Sequence, residues 1–160
     1  MTFTTIFKQE LLNLLDDKTK RLCKSEEIEY SKGTYKIKFD VYIEKDNSIF
    51  IIEIELRRSD PINNLIKTLH WKCSSIDNKK INMIQIFDKN YYTKPENKYK
   101  KDFTLFLAKR CNLLHKKLSH FSYRSLDITI DEKAYKRKDM IEAKRIARNT
   151  YKQLIGMIEK

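Results

Sequence analysis

The chain has few of the residues that interrupt regular structure, with two glycines and two prolines in 160 positions. That scarcity predicts long helices and strands joined by few irregular loops. Cysteine is also sparse. Cys23, Cys73 and Cys111 are odd in number, far apart and outside any CxxC or Cys/His cluster. They offer no pattern for structural zinc and read as reduced thiols of a cytoplasmic protein. No apolar run approaches the roughly 18–20 residues of a membrane span. The N-terminal stretch is amphipathic and carries acids, unlike a secretory signal. His115 and His120 are five apart, which is wrong for one helix face, and no zinc-protease pattern joins them. No Ser or Cys has the partners of an activated nucleophile.

What the chain does have is charge, unevenly placed. The formal net charge is +12. Residues 1–93 hold 16 Lys+Arg against 14 Asp+Glu, whereas residues 94–160 hold 18 against 8. A polyanion is the expected partner of the second half, with nucleic acid first and an anionic membrane surface second. The basic helices are not hydrophobic enough to favour a membrane. At 41% hydrophobic residues, the length suits a single domain spanning 1–160.

Periodicity predicts the order αβββαβαβα. Phe3 to about Lys20 reads as a helix with Ile6, Leu11, Leu12, Leu14 and Leu15 on its apolar stripe. A short strand follows near Tyr30. Two long strands, Tyr35–Lys45 and Ser48–Arg58, flank a two-residue turn at Asp46-Asn47, where Asp and Asn tolerate positive φ. Ser59-Asp60-Pro61 then opens a helix running to about Ser74. Ile81–Phe87 reads as a central parallel strand reached by that helical crossover. A basic helix is expected over Pro95–Ser119, with Phe103, Phe106 and Leu107 inside and Lys109, Arg110, Lys116 and Lys117 outside. Tyr123–Ile130 reads as a strand, and Lys133–Lys160 as a final helix with Met140, Ile141, Ile146, Leu154, Ile155 and Ile158 on its apolar side. The expected architecture is therefore α/β, in three layers around a mixed sheet, with basic C-terminal helices.

The hairpin carries the chemistry. With the turn at Asp46-Asn47, residues whose numbers sum to 93 face each other. Asp40 then opposes Glu53, and Lys38 opposes Glu55. Directly opposed residues have Cβ atoms roughly 4.5–5.5 Å apart, and like charges there destabilise a sheet. A divalent cation between the carboxylates would offset that penalty, because Mg²⁺ takes oxygen ligands from one or two carboxylates, water and phosphate. The alternative is a wet, ordinarily charged face. Lys67 lies on the next helix, with Asn63 and His70. It is placed either to reach the carboxylates or to sit in solvent. Glu10, among the apolar positions of the first helix, reads as a surface residue on the helix edge. Trp71 reads as core in preference to a base-stacking platform.

This stretch resembles the core of the PD-(D/E)xK nuclease superfamily: an Asp on one strand, a short hairpin, Glu-x-Lys on the next strand, then a helix. Asp40 matches the Asp and Glu53-Ile54-Glu55 the second half, with Phe39 in place of Pro and Glu55 in place of Lys. The resemblance covers about residues 3–90 in element order and the hairpin alone in residue detail. It implies an αβββαβ restriction-endonuclease-like core and a Mg²⁺- or Mn²⁺-dependent endodeoxyribonuclease. Asp40 and Glu53 would hold the metal, joined by Glu10 from the first helix. Glu55 or Lys67 would orient or deprotonate water, since members of the superfamily carry Glu or Gln at that position or move the lysine to the helix. Arg57, on the same face, would steady the phosphate, with Arg58 directed to the opposite face. Lys38, Lys109, Arg110, Lys116 and Lys117 would hold the DNA backbone. A duplex cutter must reach two strands, so a homodimer is implied. Two other readings stand beside this one. A nuclease-fold DNA-binding protein or accessory subunit that does not cut would also carry Glu55 in place of lysine. A basic structural or RNA-binding protein of unrelated α/β fold would not bring the carboxylates together.

Overall fold

The computed structural model describes residues 1–19, 27–29, 36–74, 79–113 and 120–159. The elements in chain order are α1 (Phe3–Thr19), β1 (Glu27–Glu29), β2 (Lys36–Lys38), β3 (Val41–Lys45), β4 (Ser48–Glu55), α2 (Ile62–Ser74), β5 (Lys80–Asp88), α3 (Lys89–Tyr92), α4 (Pro95–Leu113), β6 (Phe121–Ile128), α5 (Glu132–Arg137) and α6 (Met140–Ile158). The fold is mixed α/β. A four-stranded sheet runs β3-β4-β5-β6, with β3 antiparallel to β4 and the other neighbours parallel.

Helices cover both faces of this sheet. On one face, Phe3, Phe7, Leu11 and Leu15 of α1 and Ala143, Ile146, Ala147, Leu154, Ile155 and Ile158 of α6 pack on Val41, Ile43, Phe50, Ile52, Ile54, Ile84, Ile86, Leu126 and Ile128. On the other, Leu65 and Trp71 of α2 and Ala108 of α4 pack on Tyr42, Ile49, Ile51, Ile81, Met83 and Phe121. β4 and β5 are apolar on both faces because both faces are covered. Trp71 is core, edge-on to Phe39 and Tyr42 at 5.7 and 6.4 Å between ring centroids.

The predicted register holds. Val41 pairs with Ile52 and Lys45 with Ser48, and Asp46 takes the positive φ, 53°, that its turn requires. The first long strand, however, is two strands. It bends at Asp40, and β2 pairs with β1 in a separate two-stranded ladder that sets Lys38 opposite Glu27. The expected Lys38–Glu55 pairing is therefore corrected. The bend also reverses the alternation. Phe39 packs on the Tyr42 and Trp71 face, away from Val41 and Ile43.

Two helices depart from expectation. The last is broken in two: Lys138 takes a left-handed conformation that ends α5, and the Asp139 carboxylate then caps α6 through Glu142 N–H. Met140 and Ile141, expected inside, are exposed at the start of α6. In α4 the buried positions are Asn97, Thr104 and Ala108, while Phe103 and Phe106 face outwards. The predicted C-terminal turn of this helix, with Lys116 and Lys117, lies outside the described residues.

Candidate active site

Three carboxylates lie near one another where β3 begins and β4 passes under α2. The bend at Asp40 interrupts the β3–β4 ladder, and the Asp40 side chain takes over. Its Oδ2 accepts a hydrogen bond from Ile54 N–H at 2.8 Å, and its Oδ1 pairs with Lys8 Nζ of α1 at 2.7 Å. Glu53 and Glu55 point towards α2, as strand alternation requires when Ile52, Ile54 and Leu56 take the other face. Glu53 is 1% exposed and Glu55 0%.

Helix α2 supplies their partners. Lys67 Nζ donates to Glu53 Oε1 at 2.9 Å and to Asn64 Oδ1 at 2.8 Å. Asn64 Nδ2 donates to Glu55 Oε1 at 2.5 Å. Residues 64 and 67 lie three apart on one helix face, so one turn of α2 addresses both acids. From β5, Gln85 Nε2 donates to Glu55 Oε1 at 3.1 Å and to the Pro61 carbonyl at 2.8 Å. The Tyr123 hydroxyl of β6 donates to Gln85 Oε1 at 2.8 Å. Side chains of α2 and β5, backed by Tyr123 of β6, thus converge on two glutamates of β4.

The electrostatics follow from burial. Desolvation raises the Glu53 pKa from 4.5 to about 7, against the opposing pull of Lys67 and with added repulsion from Asp40 and Glu55. Glu55 is also raised, first by desolvation, with Asn64, Arg58 and Gln85 acting the other way and Asp40 adding repulsion. Burial, then the charge of Glu55, raises the Tyr123 phenol, keeping it a donor to Gln85. Glu55 Oε2 is buried and accepts no hydrogen bond, although Arg58 Nε forms an ion pair with it at 3.5 Å.

Of the expected residues, Lys67 reaches Glu53 from the helix, while Asp40 acts on both glutamates through its charge and makes its own bonds with Ile54 N–H and Lys8. Other placements are corrected. Glu10 is turned to α6, where Arg148 Nε and Lys144 Nζ stand 3.1 and 3.9 Å from its carboxylate. It is Lys8, two residues earlier, that touches the site. Arg57 and Arg58 exchange their expected roles because regular strand ends at Glu55 and the chain turns. Arg58 pairs with Glu55, while Arg57 pairs with buried Asp88 at 3.0 Å and with Glu132 at 3.3 Å, and stacks over Tyr135 at 3.7 Å. Lys109 and Arg110 are exposed on α4. Sequence reading missed Lys8, Asn64, Gln85 and Tyr123. The one available signal was Gln85, one of two amides, with Asn82, in the otherwise apolar run Ile81–Phe87.

Among the described residues, no group of three His, Cys, Asp or Glu side chains forms a preformed metal cage. Mg²⁺ does not require one, being usually held by one or two carboxylates with water and substrate phosphates. The donor set fits such an ion: hard oxygens that repel one another, one buried oxygen lacking a hydrogen bond, and charge balanced by the partly exposed Lys8, Arg58 and Lys67. No family model, curated protein or solved structure matches this chain. Among the described residues, no helix is long and apolar enough to cross a membrane.

Proposed function

We propose that the protein is a metal-dependent endodeoxyribonuclease of the PD-(D/E)xK type, with its helix–sheet–helix layers read as a restriction-endonuclease-like core. The observation that carries this reading is the nearness of Asp40, Glu53, Glu55 and Lys67 to one another at the bend of the hairpin. Asp40 and Glu53 would hold Mg²⁺ or Mn²⁺. When bound, such an ion acidifies water and neutralises charge developing on the scissile phosphate.

The chain's own groups have separable tasks. Asp40 is aimed by the Ile54 amide, so its free edge does not depend on a flexible rotamer. Glu53 becomes fully ionised once a cation offsets the repulsion of its neighbours. Lys67, partly exposed and held on Glu53 and Asn64, would orient water or the phosphate with its ammonium. Glu55, fully enclosed by Asn64, Gln85 and Arg58, anchors the cluster and positions Lys67 through Asn64. The exposed cations of α4 supply contacts to the DNA backbone, and two copies would serve a duplex substrate.

A second reading is favoured by the saturation of the acids. Each carboxylate already has a cation from within the chain, which suits a DNA-binding protein that does not cut. Nicking of supercoiled plasmid and of a four-way junction in Mg²⁺ or Mn²⁺ separates the two. Metal-dependent cleavage lost in Asp40→Asn and Glu53→Ala supports the nuclease. DNA binding without cleavage in either metal overturns it.

A further inference from the structure

Helix α4 is built inside out. Asn97, Thr104 and Ala108 face the interior, and Lys101 lays its amine 5.3 Å from the centre of the Phe87 ring while pairing with Asp127. Small and polar side chains therefore make the fully buried part of the packed face, with Leu107 partly buried beside them. The aromatic residues lie opposite: Tyr99 is 65% exposed, Phe103 53% and Phe106 52%. At 3.6 residues per turn, Tyr99, Phe103, Phe106 and Arg110 fall within an arc of about 60° on the outward side. Lone exposed apolar residues are ordinary, but three rings aligned on one helix face are not.

The arc holds one cation, Arg110, over the Phe106 ring at 5.3 Å, and Lys100 flanks it with its amine 5.9 Å from the Tyr99 ring. No carboxylate falls within it, with Glu96 and Asp102 at its margins. Residues 94–160, which include the helix, hold 18 basic against 8 acidic residues. A second copy seated here by two-fold symmetry would set this positive surface against itself. Duplex DNA would present phosphates but not base faces. A single strand presents both, with bases for the rings and phosphates for the cations. The stripe also leads towards the acids. Tyr99, Lys100 and Phe103 share a hollow of about 400 Å³ with Ser59–Ile62. Pro61 lines this hollow, and its carbonyl accepts from the same Gln85 amide that holds Glu55.

We propose that the outward face of α4 is a stacking platform for single-stranded DNA, with Tyr99, Phe103 and Phe106 each receiving a base and Arg110 and Lys100 holding the intervening phosphates. The proposal rests on the nuclease reading for the identity of the nucleic acid, and narrows its substrate to DNA with an unpaired segment, such as a flap, a gap or an open junction.

The test is fluorescence anisotropy with a labelled 12-nucleotide DNA strand, its duplex and the RNA of the same sequence. It uses the full chain in EDTA so that no cleavage intervenes. The single DNA strand is expected to bind at least tenfold more tightly than the duplex. Phe103→Ala and Tyr99→Ala should each weaken single-strand binding about tenfold. Because these rings are exposed, the melting temperature should not fall. Binding is read without cleavage, so absence of cutting in the wild type with Mg²⁺ would sink the nuclease reading and leave the platform standing. Equal affinity for strand and duplex, with the alanine variants unchanged, overturns the proposal. Tighter binding of RNA overturns the DNA assignment. Conversion of a dimer to a monomer by Phe103→Ala on analytical ultracentrifugation, with strand binding unaltered, overturns it in favour of a self-interface.

Discussion

Two buried acid–base clusters sit at the C-terminal ends of adjacent parallel strands, and they are wired differently. At the end of β5, the Asp88 carboxylate accepts from Asn90 N–H and Ile130 N–H and from Arg57 Nε. Arg57 is itself held by Glu132 and by the Tyr135 ring. At the end of β4, Glu53 and Glu55 depend on side chains from α2 and β5. The first cluster ties three segments with backbone amides and a rigid guanidinium, and is a structural clamp. The second opposes two glutamates with a lysine and two amides, groups that a cation or a phosphate can displace. Residue type does not separate the two; the source of the hydrogen bonds does.

Breaking each cluster at its cation should show the difference at full size. Arg57→Ala leaves Asp88 buried, with its two backbone donors but no charge partner, and should cost about 3–5 kcal/mol in urea unfolding at pH 7. Lys67→Ala leaves Glu53 buried too, but Glu53 titrates near 7 and escapes by keeping a proton. Its cost should be less than half that of Arg57→Ala at pH 6. Equal losses would mean that the second cluster is a clamp as well.

The next effect is on activity. Asp40→Asn retains an oxygen for Ile54 N–H and gives up the partly exposed pair with Lys8, worth about 0–1 kcal/mol. Stability should hardly move. Supporting residues of metal sites commonly cost 10–100-fold when removed, so loss of a direct ligand should drive plasmid nicking below about one hundredth of wild type. A variant as stable as wild type and fully active would remove Asp40 from the site.

Much of this was legible beforehand, and the parts that were not have physical reasons. The hairpin register followed from one turn, because Asp46 and Asn47 fix which residues oppose each other. The approach of Lys67 followed from helical spacing after Pro61. The bend at Asp40 was hidden because Phe39 and Val41 are both apolar, so reversed alternation leaves no trace in hydropathy. Arg57 and Arg58 were exchanged because alternation was extended past Glu55, beyond the last strand residue. Glu10 was misplaced because periodicity finds the buried stripe of α1 but not which neighbour borders each edge. Helix α4 misled most, since apolar residues were taken to mark the inside, while Asn97, Thr104 and Ala108 allow the closer approach.

A pH series sharpens the comparison further. Glu53 has a folded-state pKa near 7 against 4.5 when unfolded, so folding favours its protonated form. Its unfavourable contribution is absent below about pH 4.5 and grows to full size as the pH rises through 7. In the metal-free protein, Glu53→Gln should therefore be near neutral at pH 4.5 and stabilising at pH 8, by at most about 3 kcal/mol. Added Mg²⁺ should reverse the order, because only the wild type gains from the ion. Melting temperatures in EDTA and in Mg²⁺ across that range read both signs, and a variant less stable than wild type at pH 8 in EDTA would refute the raised pKa.

The smallest effect tests how far the cluster extends. Tyr123→Phe removes only the hydroxyl that fixes Gln85 Oε1, leaving a buried acceptor unsatisfied, which should cost about 1–3 kcal/mol. Gln85 would then be free to turn its amide, and Glu55 would lose one of its two amide donors for part of the time. Because Glu55 positions Lys67 only through Asn64, nicking should fall less than tenfold, and the loss should lie in kcat with KM unchanged. Gln85→Leu removes the amide altogether and should fall further on both counts. If Tyr123→Phe costs stability but leaves kcat untouched, the cluster ends at Gln85, and β6 contributes to the fold alone.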